Sequence, residues 1–252
     1  MALTKRIIPC LDVKDGQTVK GIHFEQLRVL GNPVELGRYY SEHGADELLF
    51  LDITATTEQR KTFLELVKKI TKDVNIPFTV GGGINSVADV YNLLHAGADK
   101  VSVNTAAVKQ PGLLRELAKE FGSQCIILAT DAKVVGDKTI VCINGGRIPT
   151  DMAVIDWVKM GADMGAGEIL LTSIDHDGTR NGFAVELTRS VSEAVSIPVI
   201  ASGGAGKMNH FTDVFNAGKA DAALAASMFH NKEIEIAALK KFLKTNNVNV
   251  RI

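Results

Sequence analysis

The chain has 252 residues, 46% hydrophobic and 23% charged, with a formal net charge of -1. That length buries a large core and suits one α/β-barrel domain, while near-neutral charge without a basic run argues against nucleic acid as a partner. No apolar stretch reaches the roughly 20 residues of a membrane span, MALTKRII lacks the apolar core of a signal peptide, and the three cysteines have no metal-type spacing, so reduced thiols in a cytoplasmic protein are expected.

Short apolar runs alternate with helical patterns along the whole chain. Strands are expected at Ile7–Leu11, Leu48–Leu51, Phe78–Val80, Lys100–Val103, Ile126–Ala129, Ile169–Thr172, Val199–Ala201 and Ala222–Ala225. They are apolar without alternation, as in strands covered on both faces. Helices are expected between them at Pro33–His43, Arg60–Asp73, Val87–Ala96, Gly112–Phe121, Met152–Met164, Val185–Val195, Met208–Ala217 and Ile234–Lys244. In the second of these, Phe63, Leu66, Val67 and Ile70 recur at helical spacing. Cys10 and Cys125 fall in strand-like runs and Cys142 in an expected hairpin.

The same half is written twice. GADELLFLD at Gly44–Asp52 returns as GAGEILLTS at Gly165–Ser173, and at the same offset IPFTVGGGI (Ile76–Ile84) returns as IPVIASGGA (Ile197–Ala205). KRIIPCLDVK has an echo in QCIILATDAK, and AGADKVSVNTA in AGKADAALAAS. Eight strand–helix units in two fourfold halves predict a (β/α)₈ TIM barrel, with residues 1–252 forming one domain. An open doubly wound sheet does not explain the halves.

Two long insertions follow the equivalent first and fifth strands: VKDGQTVKG (Val13–Gly21), and AKVVGDKTIVCINGGR (Ala132–Arg147), which reads as a hairpin turning at Gly136-Asp137. Both belong to the C-terminal face, where barrels carry their chemistry. Asp12 ends the first strand and Asp131 the fifth, so two carboxylates are expected to face each other across the barrel mouth, with burial and mutual repulsion separating their pKa values for acid and base work. An isolated Asp more often caps a loop; the symmetric pairing favours chemistry. Asp52 and Asp177 are further candidates near strand ends.

Glycine clusters at Gly81–Gly83 and Ser202–Gly206 follow the third and seventh strands, and Asn104-Thr105 and Ala226-Ser227 the fourth and eighth. Backbone N–H groups can approach an anion there, so two phosphates at the ends of one elongated ligand are expected. At the other rim, Arg6, Glu47, Lys100 and Glu168 stand at strand starts, able to pair inward or to point into water.

With KRIIPCLDVKDG, FLDITA, FTVGGGI, GADKVSVNTAAV, GAGEILLTSIDHDGT, ASGGAGK and ALAAS in order, the chain resembles, over nearly its full length, the cyclase subunits of imidazole glycerol phosphate synthase. The resemblance implies a histidine-biosynthesis lyase that needs no metal or cofactor. It would use ammonia from a partner glutamine amidotransferase, joined as a heterodimer, to convert the bisphosphate PRFAR into imidazole glycerol phosphate and AICAR. By motif it implies Asp12 and Asp131 as the general acid/base pair and Lys20 as a substrate-ordering lysine. Gly83, Asn104 and Thr105 would hold one phosphate, and Asp177, Gly178, Gly204, Ala226 and Ser227 the other. Arg6, Glu47, Lys100 and Glu168 would form an ammonia gate. His176, Phe183-Ala184 and Thr150–Ala153 depart from the usual pattern. Competing readings are the related phosphoribosyl isomerase, a paralogous ammonia-dependent synthase, and a non-catalytic phosphoester-binding barrel.

Overall fold

A computed structural model describes residues 3–22, 25–53 and 57–252. The last residues of the FLDITA motif, Thr54 and Ala55, lie outside the described residues. The first half runs β1 (Arg6–Lys14), β2 (Gln17–Ile22), β3 (Glu25–Gly31), α1 (Pro33–Glu42), β4 (Leu48–Asp52), α2 (Thr57–Asp73), β5 (Phe78–Gly81), α3 (Val87–His95), β6 (Lys100–Val103), α4 (Thr105–Lys109) and α5 (Gly112–Phe121). After a 3₁₀ turn at Ser123–Cys125 come β7 (Ile126–Val135), β8 (Lys138–Ile143), β9 (Ile148–Ala153), α6 (Val154–Asp163), β10 (Glu168–Ser173) and α7 (Val185–Ala194). The chain ends with β11 (Val199–Ser202), α8 (Met208–Asn216), β12 (Ala222–Ala225), α9 (Ser227–His230) and α10 (Ile236–Thr245).

Eight strands close a parallel barrel in the order β1, β4, β5, β6, β7, β10, β11, β12, with β12 returning to β1. β1 and β7 are four steps apart in either direction and therefore opposite. Alternation along each strand divides the apolar residues into two layers. Ile8, Cys10, Leu49, Ile127, Leu170, Ile200, Ala222 and Leu224 pack inside the barrel, with Leu51 and Ala129 against them. Their alternates, among them Ile7, Leu11, Leu48, Phe50, Ile126 and Leu128, pack with the helices. Local signals start the helices: the Asn32 side chain accepts from Val34 N at 2.9 Å ahead of Pro33, and Ser86 caps α3 through Asp89 N.

Several expected elements are altered. The first insertion is a two-stranded arm, β2 and β3, entered through Asp15-Gly16, whose φ values of 50 and 73 suit a tight hairpin turn. The second turns at Gly136-Asp137 as expected but adds β9, which takes Met152 and Ala153 from the expected start of α6. Cys125 lies in the 3₁₀ turn before the strand. The last helix begins at Ile236 instead of Ile234. The repeat is visible in backbone angles: Asn104 ahead of α4 has φ -122 and ψ -87, and its counterpart Ala226 ahead of α9 has φ -124 and ψ -72.

Candidate active site

The inward face of β1 reads Arg6, Ile8, Cys10, Asp12, and that of β7 reads Ile127, Ala129, Asp131. Two-residue alternation therefore carries both aspartates to the inner mouth of the barrel, on opposite strands. Asp52 has the opposite parity on β4. It lines a small cleft with Phe63, Val80 and Asp89 and is no part of the central site.

Asp12 is buried, and Lys20 Nζ from the β2 strand of the arm stands 3.5 Å from its Oδ2. Burial raises the Asp12 pKa, Lys20 opposes the rise and Asp177 adds to it. Burial works against the charge on Lys20, but the negative groups around it, Asp12 foremost and Asp177 among the rest, together outweigh burial and the lysine pKa is raised. Asp131, half-buried, accepts from Asn104 Nδ2 at 3.0 Å and from the backbone N–H of Gly146. Burial first, and then the charge of Asp177, push its pKa up to about 7, against these two hydrogen bonds. The repulsion felt by both carboxylates thus comes from Asp177, in the turn after β10, where mutual repulsion had been expected. Asp12 sits beside a cation and Asp131 beside a neutral amide, so the two environments differ as acid and base roles require.

The expected phosphate residues flank this pair in two sets. Gly83 and Gly204 occupy equivalent turns with φ 61 and 97. A Cβ on Gly204 would stand 2.0 Å from the Gly182 carbonyl oxygen, so the turn excludes any side chain. Asn104 and Thr105 open α4; Thr105 Oγ1 accepts from Asn144 N at 2.9 Å, tying the hairpin to this helix. Asn104 must present its amide nitrogen to Asp131, which leaves its Oδ1 buried with no donor from the protein. That oxygen is an acceptor available to a ligand. Asp177 and Gly178 follow β10, and Ala226 and Ser227 begin the α9 segment.

At the far rim, Arg6, Glu47, Lys100 and Glu168 do not point into water: they close on one another. Arg6 bonds Glu47 at 2.7 Å and also Glu168, while Lys100 reaches Glu47 at 3.0 Å and Glu168 at 3.3 Å. Glu47 and Glu168 are 8% and 5% exposed, so the four-membered ring plugs the barrel floor. Burial disfavours the Arg6 charge, yet the two glutamates outweigh it and raise its pKa. Arg6 of this ring lies six residue steps along β1 from Asp12, about 20 Å at strand rise.

Of the unusual positions, Phe183 is buried edge-on against Phe211 with ring centroids 5.4 Å apart, and His176 Nδ1 lies 2.9 Å from Ser173 Oγ. Among the described residues no three His, Cys, Asp or Glu side chains converge as a metal site, and no helix is long and apolar enough to cross a membrane.

Comparison with known proteins places the chain. The family model described as "Histidine biosynthesis protein" matches residues 6–235. The chain belongs to this family. Its relatives include the imidazole glycerol phosphate synthase subunit HisF of Cytophaga hutchinsonii, 61% identical over 249 residues and 99% of both chains. The proteins of that name from Flavobacterium johnsoniae and Geobacillus thermodenitrificans are 59% and 60% identical over 99% of this chain and 100% of their own. Within a histidine-biosynthesis barrel, Asp12 and Asp131 are the paired carboxylates that the half-repeat places on equivalent strands. Sequence reasoning missed the bond from Asn104 to Asp131, since Asn104 reads only as an anion ligand, and it missed His230, whose partners lie 190 and 220 residues away.

Proposed function

We propose that the chain is the cyclase subunit of imidazole glycerol phosphate synthase, converting PRFAR and ammonia into imidazole glycerol phosphate and AICAR. The observation that carries this reading is the inward placement of Asp12 and Asp131 on opposite strands, above a barrel plugged at its floor by the charged ring.

Ammonia attacks the ribulosyl ketone and, with loss of water, gives an imine. Proton transfers by Asp12 and Asp131 then accompany cleavage of the C–N bond that releases AICAR and closure of the imidazole ring. A carboxyl with a pKa of about 7 both gives and takes a proton near neutrality, which suits Asp131 to either step. Lys20 favours the carboxylate of Asp12 and orders substrate beside it. Gly83, Asn104 and Thr105 hold one phosphate of PRFAR; Asp177, Gly178, Gly204, Ala226 and Ser227 shape the other end.

The partner is a glutamine amidotransferase docked below the barrel, which delivers ammonia to the ring of Arg6, Glu47, Lys100 and Glu168. Above the ring the barrel is lined by Ile8, Leu49, Ile127 and Leu170. An apolar lining of this kind admits neutral ammonia and penalises ammonium by desolvation. Nitrogen would reach the ketone unprotonated and nucleophilic.

The test is turnover of PRFAR by the purified chain with an ammonium salt at alkaline pH, which replaces the partner. AICAR release is expected. Tight PRFAR binding without AICAR release would instead favour a phosphoester-binding barrel.

A further inference from the structure

The ladder between β1 and β12 ends at the pair Pro9 and Ala225. Beyond it β1 continues to Asp12, while β12 turns away through Ala226 into α9. One side chain bridges the opening. His230, at the end of α9, places Nε2 2.8 Å from the Cys10 carbonyl oxygen and Nδ1 2.6 Å from the Tyr40 hydroxyl on α1. A carbonyl only accepts, so Nε2 carries the hydrogen. Burial holds the His230 pKa down at about 4, so the ring is neutral near pH 7 and Nδ1 accepts. Tyr40, whose own pKa burial raises, donates to it. The tautomer is fixed from both sides.

The next residue extends the grip. Asn231 Oδ1 accepts from Arg28 Nη2 at 2.5 Å, and Arg28 pairs with Lys20 across the β2–β3 ladder. Two adjacent residues thus hold both β1, which carries Asp12, and the arm that carries Lys20. The opposite half achieves the link differently. There Val108 stands at the position equivalent to His230, and Asn104 bonds the Asp131 carboxylate directly.

We propose that His230, assisted by Asn231, is a positioning residue that fixes the Asp12–Lys20 pair against the Ala226–Ser227 segment, and so sets the spacing between a bound substrate phosphate and the reacting carboxylate. The inference rests on the cyclase reading, in which that segment holds phosphate. Asp12 itself is not bonded by His230; the link runs through the Cys10 carbonyl two residues before it.

The variants H230A, H230Q and Y40F test it by ammonium-dependent PRFAR turnover and by titrating inorganic phosphate while following the backbone amides of Ser227 and Thr105 by NMR. H230A is expected to raise KM for PRFAR about tenfold, the scale of one lost hydrogen bond. The phosphate response at Ser227 weakens in that variant while Thr105 responds as in the wild type. H230Q, whose amide N–H can reach the same carbonyl, recovers most of the loss. Y40F shifts KM in the same direction by roughly two- to threefold and gives His230 ¹⁵N shifts of a mixed tautomer, as expected when one weak hydrogen bond is removed. A lower melting temperature in H230A, with KM and the Ser227 response unchanged, would overturn the inference alone. A wild-type Ser227 that ignores phosphate would overturn the phosphate reading and this inference with it.

Discussion

Asn104 Nδ2 donates to Asp131 Oδ2 at 3.0 Å, so the residue heading α4 touches the carboxylate carried on β7, the fifth barrel strand. The bond stabilises the charged carboxylate and works against burial, which raises the Asp131 pKa. Asn104→Ala removes the donor, so the Asp131 pKa should rise further. The limb of kcat/KM centred near pH 7 should move to higher pH by about 1–2 units, the scale of one hydrogen bond to a charged group. Rate profiles at constant free ammonia concentration check this; an unmoved limb would detach that limb from Asp131.

A carboxyl whose folded pKa of about 7 exceeds its ordinary value of 3.8 destabilises the fold as it ionises. The folded state binds more protons than the unfolded chain between those values. Its contribution to stability is therefore full below about 3.8 and lost as pH rises to about 7. Asp131→Asn should be more stable than the wild type at pH 8 by on the order of 1 kcal/mol, roughly 2–4 °C in Tm, and should lose that advantage near pH 4. Thermal unfolding at the two pH values measures it.

The ring at the barrel floor balances two cations against two nearly buried carboxylates. Lys100→Met leaves Glu47 and Glu168 sharing Arg6 alone, and should cost about 1–3 kcal/mol. Adding Glu47→Gln removes one of the stranded charges and should recover part of that loss, which a double-mutant cycle in denaturant would read as coupling. Additive losses would mean that the ring members do not sense one another.

The barrel was largely legible because it rests on local signals. Buried strands are continuous apolar runs, and the repeat relates Asp12 to Asp131 in the sequence itself. The turn at Gly136-Asp137 was equally local. The arm of β2 and β3 was less so, because Gln17–Ile22 alternates weakly and takes its strand form from pairing with β1 on one side and β3 on the other. Helix α6 begins two residues later than its sequence pattern suggests, since Met152 and Ala153 suit a helix until pairing with β8 claims them. The floor charges could not be oriented from composition; their inward turn follows from sharing parity with Ile8, Leu49 and Leu170. His230 was not legible at all. A lone histidine on a four-residue helix carries no signal until folding brings Cys10 and Tyr40 to its two nitrogens.

The central claim is that the opposed carboxylates perform the chemistry, and single-turnover kinetics of Asp12→Asn and Asp131→Asn with PRFAR and saturating ammonium test it most directly. Each substitution is expected to slow AICAR formation by about 10²–10⁴-fold, the range of a lost general acid or base, while the PRFAR dissociation constant stays within about threefold. Either variant forming AICAR at a rate close to that of the wild type would contradict it.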